Sequence, residues 1–196
     1  MLKEQLPSCR DAEMNTRKET ATLEEAKEQV RRVCTRLGLL HLSFAKTLVE
    51  ELGEKKGKQL VLKAIKDYGT RIGERVKANA TAQGLGNDPE NYVEDLPLYG
   101  MYDDIETKEL KGEKRIRVYG CVMGKVWNKL REGELGRLYC YVDPAKYMAF
   151  NPNFKLIHTK VVTGGDAYCE LVVRPTTEQD REDFAAKDTD WSHIDK

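Results

Sequence analysis

The chain lacks net charge and lacks long apolar runs. Lys+Arg and Asp+Glu number 33 each over 196 residues, so bulk electrostatics offers no footprint for nucleic acid or for an anionic membrane. No stretch approaches the ~20 apolar residues that a bilayer-spanning helix needs, and the opening MLKEQLPSCRDAEMN has no apolar core of the secretory type. The five cysteines are odd in number and irregular in spacing, unlike the framework of a secreted disulfide scaffold. A cytoplasmic protein with reduced thiols is expected, with neither nucleic acid nor membrane as partner.

Several chemistries are missing by motif. There is no P-loop, and the glycines at 84, 86 and 100 do not make a G-x-G-x-x-G fingerprint. No G-x-S-x-G nucleophile elbow occurs. Cys-x2-Asp and Asp-x2-Cys are present, but not the Cys-x2-Cys or His-Glu-x-x-His spacings of zinc sites. No cofactor is predicted, and a metal ion is neither indicated nor excluded by spacing. Internal repeats and low-complexity tracts are absent as well.

What is present reads as an α+β domain. Thr22-x-x-Glu25 has capping-box spacing and predicts a helix start. Leu23, Val30, Leu37 and Phe44, interleaved with Ala26, Val33 and Leu40, predict one apolar stripe along a long helix that ends around Gly53 and Gly57. The length of that stripe leaves room for a homodimer interface. A second helix is predicted to carry Val61, Ile65, Tyr68, Ile72 and Val76 on one face and to close near Gly84, making a helical hairpin. Within it Gly69 and Gly73 each cost ~1 kcal/mol against alanine, so a close helix contact is the expected compensation.

Residues 84–113 hold two prolines and nine acidic against two basic residues, and read as a loop-rich connection of a length that suits a lid or a wrap. KRIRVYGCVMG alternates, with Ile116, Val118 and Val122 facing one way and Arg115, Arg117, Tyr119 and Cys121 the other, as in a strand. A helical pair follows from Lys125 to about Phe150, broken near Glu132-Gly133, and Asn151-Pro152-Asn153 signals a turn. FKLIHTKVV and AYCELVVR, joined by Thr163-Gly164-Gly165-Asp166, predict a β-hairpin. The expected organisation is a loosely ordered lead-in at 1–21, one domain over 22–174, and an acidic tail at 175–196 that either packs by Trp191 or stays mobile. The domain itself is expected to be an N-terminal helical hairpin packed with a small antiparallel sheet and inserted helices.

Four candidate reactive side chains lie within thirty residues: Cys140, Asp143, His158 and Cys169. On a helix, Cys140 and Asp143 at i and i+3 share a face and can address one small volume. Asp166 and Cys169 repeat the pair in reverse order. Each has a structural reading beside the chemical one. Cys169 alternates with Leu171 and Val173, as a packed thiol would. Asp166 suits a Gly-Gly-Asp turn, and His158 shares its strand face with Phe154 and Leu156, as a core histidine would.

These residues carry a resemblance. LYCYVDPAKYMAFNPNFKL followed by TKVVTGGDAYCEL, with weaker agreement in KAIKDYGTRIGERV, resembles the L-2-amino-thiazoline-4-carboxylic acid hydrolase family over residues 55–174. The resemblance implies a hydrolase that opens a small sulfur-containing ring, turning an amidine-like carbon into a ureido group. Such chemistry needs a nucleophile, help for the departing thiolate and a cation for the substrate carboxylate. A thiolate at Cys169 or Cys140 would serve as nucleophile, or Asp143 or Asp166 would activate water as a base. Cys169, at a turn-strand junction, is the preferred thiol and Asp143 the preferred base. Asn151 and Asn153 are candidate donors to a tetrahedral intermediate, and with His158 they complete the expected substrate contacts.

Two other readings use the same residues. A helical hairpin beside an antiparallel sheet can enclose a small molecule without chemistry, similar in outline to 4-vinyl reductase-type sensor domains. A metal or cluster held by Cys121, Cys140 and Cys169 is the third.

Overall fold

The computed structural model describes residues 20–110, 112–187 and 189–195; the lead-in expected over 1–21 lies almost entirely outside them. Helix α1 (Leu23–Leu52) opens on the predicted box, in which the Thr22 hydroxyl accepts from the Glu25 amide and the Glu25 carboxylate accepts from the Thr22 amide. It ends at Gly53, whose φ of 78° suits glycine, and α2 (Glu54–Ala82) starts at once. Gly57 therefore lies inside α2 and not at the end of α1. A β-carbon there would meet Val49 Cα at 2.6 Å, so the two helices cross closely.

The predicted stripe on α1 is only partly the buried one. Val33 and Phe44 are 64% and 65% exposed, and Leu23 and Leu40 also face outward. Cys34, Gly38, His41, Leu42 and Ala45 form the buried face instead. The reason is packing: Gly38 admits Trp127, whose indole N–H donates to the Gly38 carbonyl at 3.0 Å, with Met123 alongside. Small residues that accept a large neighbour outrank large residues at a heptad period, and a straight helix of 3.6 residues per turn drifts off that period.

The connection after α2 has a short 3-10 turn at Pro89–Asn91 and then a strand, β1 (Asp104–Leu110), where only loop was expected. β1 is an edge strand with solvent on both faces, so DIETKEL shows no apolar alternation to read. β2 (Glu113–Tyr119) pairs with it. The expected strand also ran too far: Gly120 turns the chain with φ 65°, leaving Cys121 as the N-cap of α3 (Val122–Lys129). A β-carbon at Gly120 would fall 1.9 Å from the Asp103 carboxylate.

After α3 come α4 (Gly133–Gly136), a 3-10 stretch at Arg137–Tyr141, and α5 (Val142–Phe150). The predicted hairpin is β3 (Phe154–Lys160) and β4 (Cys169–Pro175), antiparallel, with Leu156 opposite Val173 and His158 opposite Leu171. β4 also pairs with β2, placing Val118 opposite Cys169, so the sheet order is β1-β2-β4-β3. The whole is the expected α+β arrangement. The tail packs: α6 (Glu178–Ala185) is followed by a 3-10 turn at Ser192–Asp195, and Trp191, Ile194 and Asp195 are buried.

One sheet face, carrying Val118, His158, Cys169 and Leu171, looks toward α5. On the other, Glu170 is buried and accepts from Arg115 at 2.7 Å, Arg117 at 3.0 Å and Thr159 at 2.9 Å. Burial opposes its ionisation, but these three partners outweigh burial and hold the carboxyl down to about 2. A folded-state value below the ordinary 4.5 means stability that is present above pH 4.5 and lost as pH falls toward about 2. Thermal melts across that window are expected to show Glu170→Gln less stable than wild type at neutral pH and flatter in acid. Parallel curves would remove Glu170 from the account.

Candidate active site

Gly69 and Gly73 decide where α5 lies. A β-carbon on Gly69 would sit 2.5 Å from Ala145 Cβ, and one on Gly73 would sit 2.1 Å from the Lys146 carbonyl oxygen. The bare backbone of α2 thus lets α5 lie against it, with Ala145 fully buried between them. Pro144 is accommodated in the first turn of α5, where a missing N–H removes no helical bond. Asp143, in the same turn, is favoured by the positive end of the helix.

From α5, Asp143 and Lys146 project one turn apart into a cavity of roughly 100 Å³ walled by α2, α3, the sheet and the connection before β1. Lys146 Nζ lies 2.8 Å from Asp143 Oδ1 and 2.6 Å from Glu94 Oε1. The other Asp143 oxygen, Oδ2, is 3.4 Å from His158 Nε2 on β3. His158 Nδ1 is 3.1 Å from Asp195 Oδ1, and Arg137 donates to Asp195 Oδ2 at 3.1 Å. Six ionisable groups therefore alternate in sign from Glu94 to Arg137. The 84–113 connection takes part: Glu94, Leu96, Leu98 and Tyr102 line the cavity, Tyr92 stacks on Tyr147 with ring centres 4.2 Å apart, and Asp95 pairs with Arg75. A wider groove of about 650 Å³ shares Glu94, Tyr102, Asp143 and Lys146 and leads outward.

Electrostatics separates the candidates. Burial disfavours a charged Lys146, but the carboxylates of Asp143 and Glu94 outweigh it and its pKa is raised well above the ordinary value. Burial likewise disfavours a charged His158, but the Asp195 hydrogen bond and the charges of Asp195 and Asp143 outweigh it, and its pKa is raised. The thiols go the other way. Burial pushes Cys140 well up and Cys121 up, and pushes Cys169 up to about 11. Among the described residues no cysteine hydrogen-bonds a histidine, and the Cys169 sulfur accepts from the Val162 amide at 3.4 Å. These surroundings raise the Cys169 thiol above its ordinary value and so do not favour the thiolate expected there.

Cys140, Asp143, His158 and Cys169 all line the cavity, joined by Cys121. Asp166, Asn151 and Asn153 do not. Asp166 Oδ2 accepts from the Val161 amide at 2.8 Å and closes the hairpin turn. Asn151 accepts from the Asn153 amide at 3.0 Å and donates to the Asn87 carbonyl at 3.0 Å, so both asparagines belong to the turn chemistry that also explains their spacing. Among the described residues no three His, Cys, Asp or Glu side chains are grouped to hold a metal ion, so Cys121, Cys140 and Cys169 share a cavity without forming such a centre.

Sequence reasoning missed Lys146, Glu94 and Asp195. Lys146 has a signal in hindsight: it is the one cation in VDPAKYMAF, a helix otherwise apolar but for Asp143 three residues before it. Glu94 and Asp195 sit among many other acids in acidic segments and stand out by nothing local.

An α+β domain in which a helical pair and an antiparallel sheet enclose a small cavity with an Asp-Lys-His cluster is the class of protein this geometry defines. The chain belongs to the L-2-amino-thiazoline-4-carboxylic acid hydrolase family, whose model matches residues 37–173. No curated protein matches it. Among solved structures it is similar in fold to the phenol-responsive sensory domain of the transcription activator PoxR with phenol, at 16% identity and a TM-score of 0.50, covering 80% of this chain and 82% of that one. A trafficking protein particle complex subunit 3 from Naegleria fowleri, covalently bound to palmitic acid, matches at 13% identity and a TM-score of 0.42, covering 71% of this chain and 95% of that one.

Proposed function

We propose that the chain is a hydrolase that opens a small ring at an amidine-like carbon, with Asp143, Lys146 and His158 as its working groups. The observation that carries this reading is Asp143, held on the cavity wall between Lys146 at 2.8 Å and His158 at 3.4 Å. The family name is that of a hydrolase acting on a cyclic amidine-like acid.

In this reading Asp143 takes a proton from a water that adds to the ring carbon. The added hydroxyl becomes the ureido carbonyl as its proton passes to the ring nitrogen, the C–S bond breaks, and His158, with its raised pKa, gives the Nε2 proton to the departing sulfur. The proton on Asp143 crosses to His158 over their 3.4 Å contact and restores both groups. An ammonium has three donors; two of Lys146's go to Asp143 and Glu94, leaving one for a substrate carboxylate. The neutral thiols of Cys140 and Cys169 line the site and are not the nucleophile.

A non-catalytic binding domain is the second reading, favoured by the apolar and aromatic walls supplied by Tyr68, Trp127, Tyr139 and Leu98. Incubation with thiazolines, hydantoins and related cyclic ureas, followed by mass spectrometry, separates the two. Ring opening with the gain of one water is expected, and Cys169→Ala is expected to keep most of it. A ligand bound and returned unchanged across the panel would favour the binding domain.

A further inference from the structure

We propose that Asp195 is the positioning residue for His158, so that the turn Ser192–Asp195 is a working part of the site although it lies beyond the residues that the family model matches. The inference rests on the reading of His158 as the acid of the proposed reaction.

One Asp195 oxygen makes two contacts with the same residue. Oδ1 accepts from the His158 backbone N–H at 2.8 Å and lies 3.1 Å from its ring Nδ1. Backbone and ring are thus fixed to one atom, which sets the rotation of the imidazole. With Nδ1 turned to Asp195, Nε2 is the nitrogen left to face Asp143 and the cavity. A carboxylate behind an imidazole in this way fixes its tautomer and favours the protonated ring.

The carboxylate is itself held firmly. Its side chain is fully buried, and Arg137 occupies the other oxygen at 3.1 Å. The turn that carries it is anchored by Ile194, which is fully buried, and by Trp191, packed edge-on against Tyr141 and Phe184. Tyr141 adds a hydrogen bond to the Ser192 carbonyl at 3.0 Å. Asp195 does not line the cavity, and His158 is the cavity-lining residue that it hydrogen-bonds. The charged groups that face His158 are Asp195 and Arg137 on the outer side and Asp143 with its partner Lys146 on the inner side.

The test is the titration of His158 by NMR in the full-length, ligand-free protein, with turnover measured beside it. Asp195→Asn keeps an acceptor for Nδ1 but removes the charge. Its His158 is expected to titrate at lower pH than wild type, with kcat reduced about 10²-fold, KM little changed and the alkaline limb of the rate profile moved to lower pH. Arg137→Gln removes a nearby cation and is expected to move the same titration upward, which keeps the proposal testable if Asp195→Asn folds poorly. An unshifted His158 in folded Asp195→Asn, or in Arg137→Gln, would overturn it. Because the titration needs no substrate, it judges Asp195 even where the ring panel shows no turnover and the hydrolase reading fails.

Discussion

Asp143→Asn is expected to lower the rate of ring opening by about 10³-fold, within the ~10²–10⁴ that a positioned general base contributes. Asparagine keeps the shape, but its single carboxamide oxygen can accept from only one of Lys146 and His158 in their present places, so the fold should survive while kcat falls. The contrast with Cys169→Ala is the informative one. If the thiol were the nucleophile, removing it would abolish turnover and Asp143→Asn would be the milder change. The raised pKa of Cys169, at about 11, leaves very little thiolate at neutral pH. Steady-state rates of the two variants on one ring substrate decide it: full activity in Asp143→Asn would sink the assignment.

Gly73→Ala is the substitution expected to damage the fold most. Alanine is the better helix former by about 1 kcal/mol, which argues for stabilisation if α2 is considered alone. Against that, the added methyl would lie 2.1 Å from the Lys146 carbonyl oxygen and 2.8 Å from Ala149 Cβ, and the first of these is backbone that cannot rotate away. Overpacking of this kind costs roughly 1–3 kcal/mol and more where no side chain can yield, so a net loss of about 3 kcal/mol is expected in urea unfolding. The same shift would move α5, and with it Asp143 and Lys146, relative to His158 on the sheet. Activity should therefore fall further than stability alone explains. A wild-type unfolding midpoint in Gly73→Ala would contradict the packing described for α2 and α5.

Much of the architecture is legible in the residues. The Thr22–Glu25 box and the β3–β4 hairpin are written in local chemistry that tertiary structure leaves alone, and the Gly69/Gly73 pair marks a close helix contact without naming α5 as the partner. The outward-facing part of the α1 stripe and the unforeseen β1 share the opposite cause. Which face of α1 is buried depends on what Trp127 can fit against, and β1 is exposed on both faces, so neither leaves a trace in its own periodicity. In the site, Cys140 and Asp143 are adjacent by helical spacing, and His158 and Cys169 share a sheet face across β3 and β4, which is why all four converge. The mirror symmetry of Cys140-x2-Asp143 and Asp166-x2-Cys169 is half coincidence: Asp166 closes a turn. Asp195 is brought to His158 by the burial of Trp191 and Ile194, a tertiary event with no counterpart in spacing.

The alternating chain of Glu94, Lys146, Asp143, His158, Asp195 and Arg137 has three acids and three bases, so with every member ionised it sums to zero around a partly enclosed volume. A guest that enters with a net charge leaves this balance uneven, and uneven charge is expensive where water is scarce. The least costly remedy is for a proton to arrive with the guest or to leave as it binds. Binding of a net-charged molecule here is therefore expected to take up or release protons more than binding of a zwitterion of matched charges.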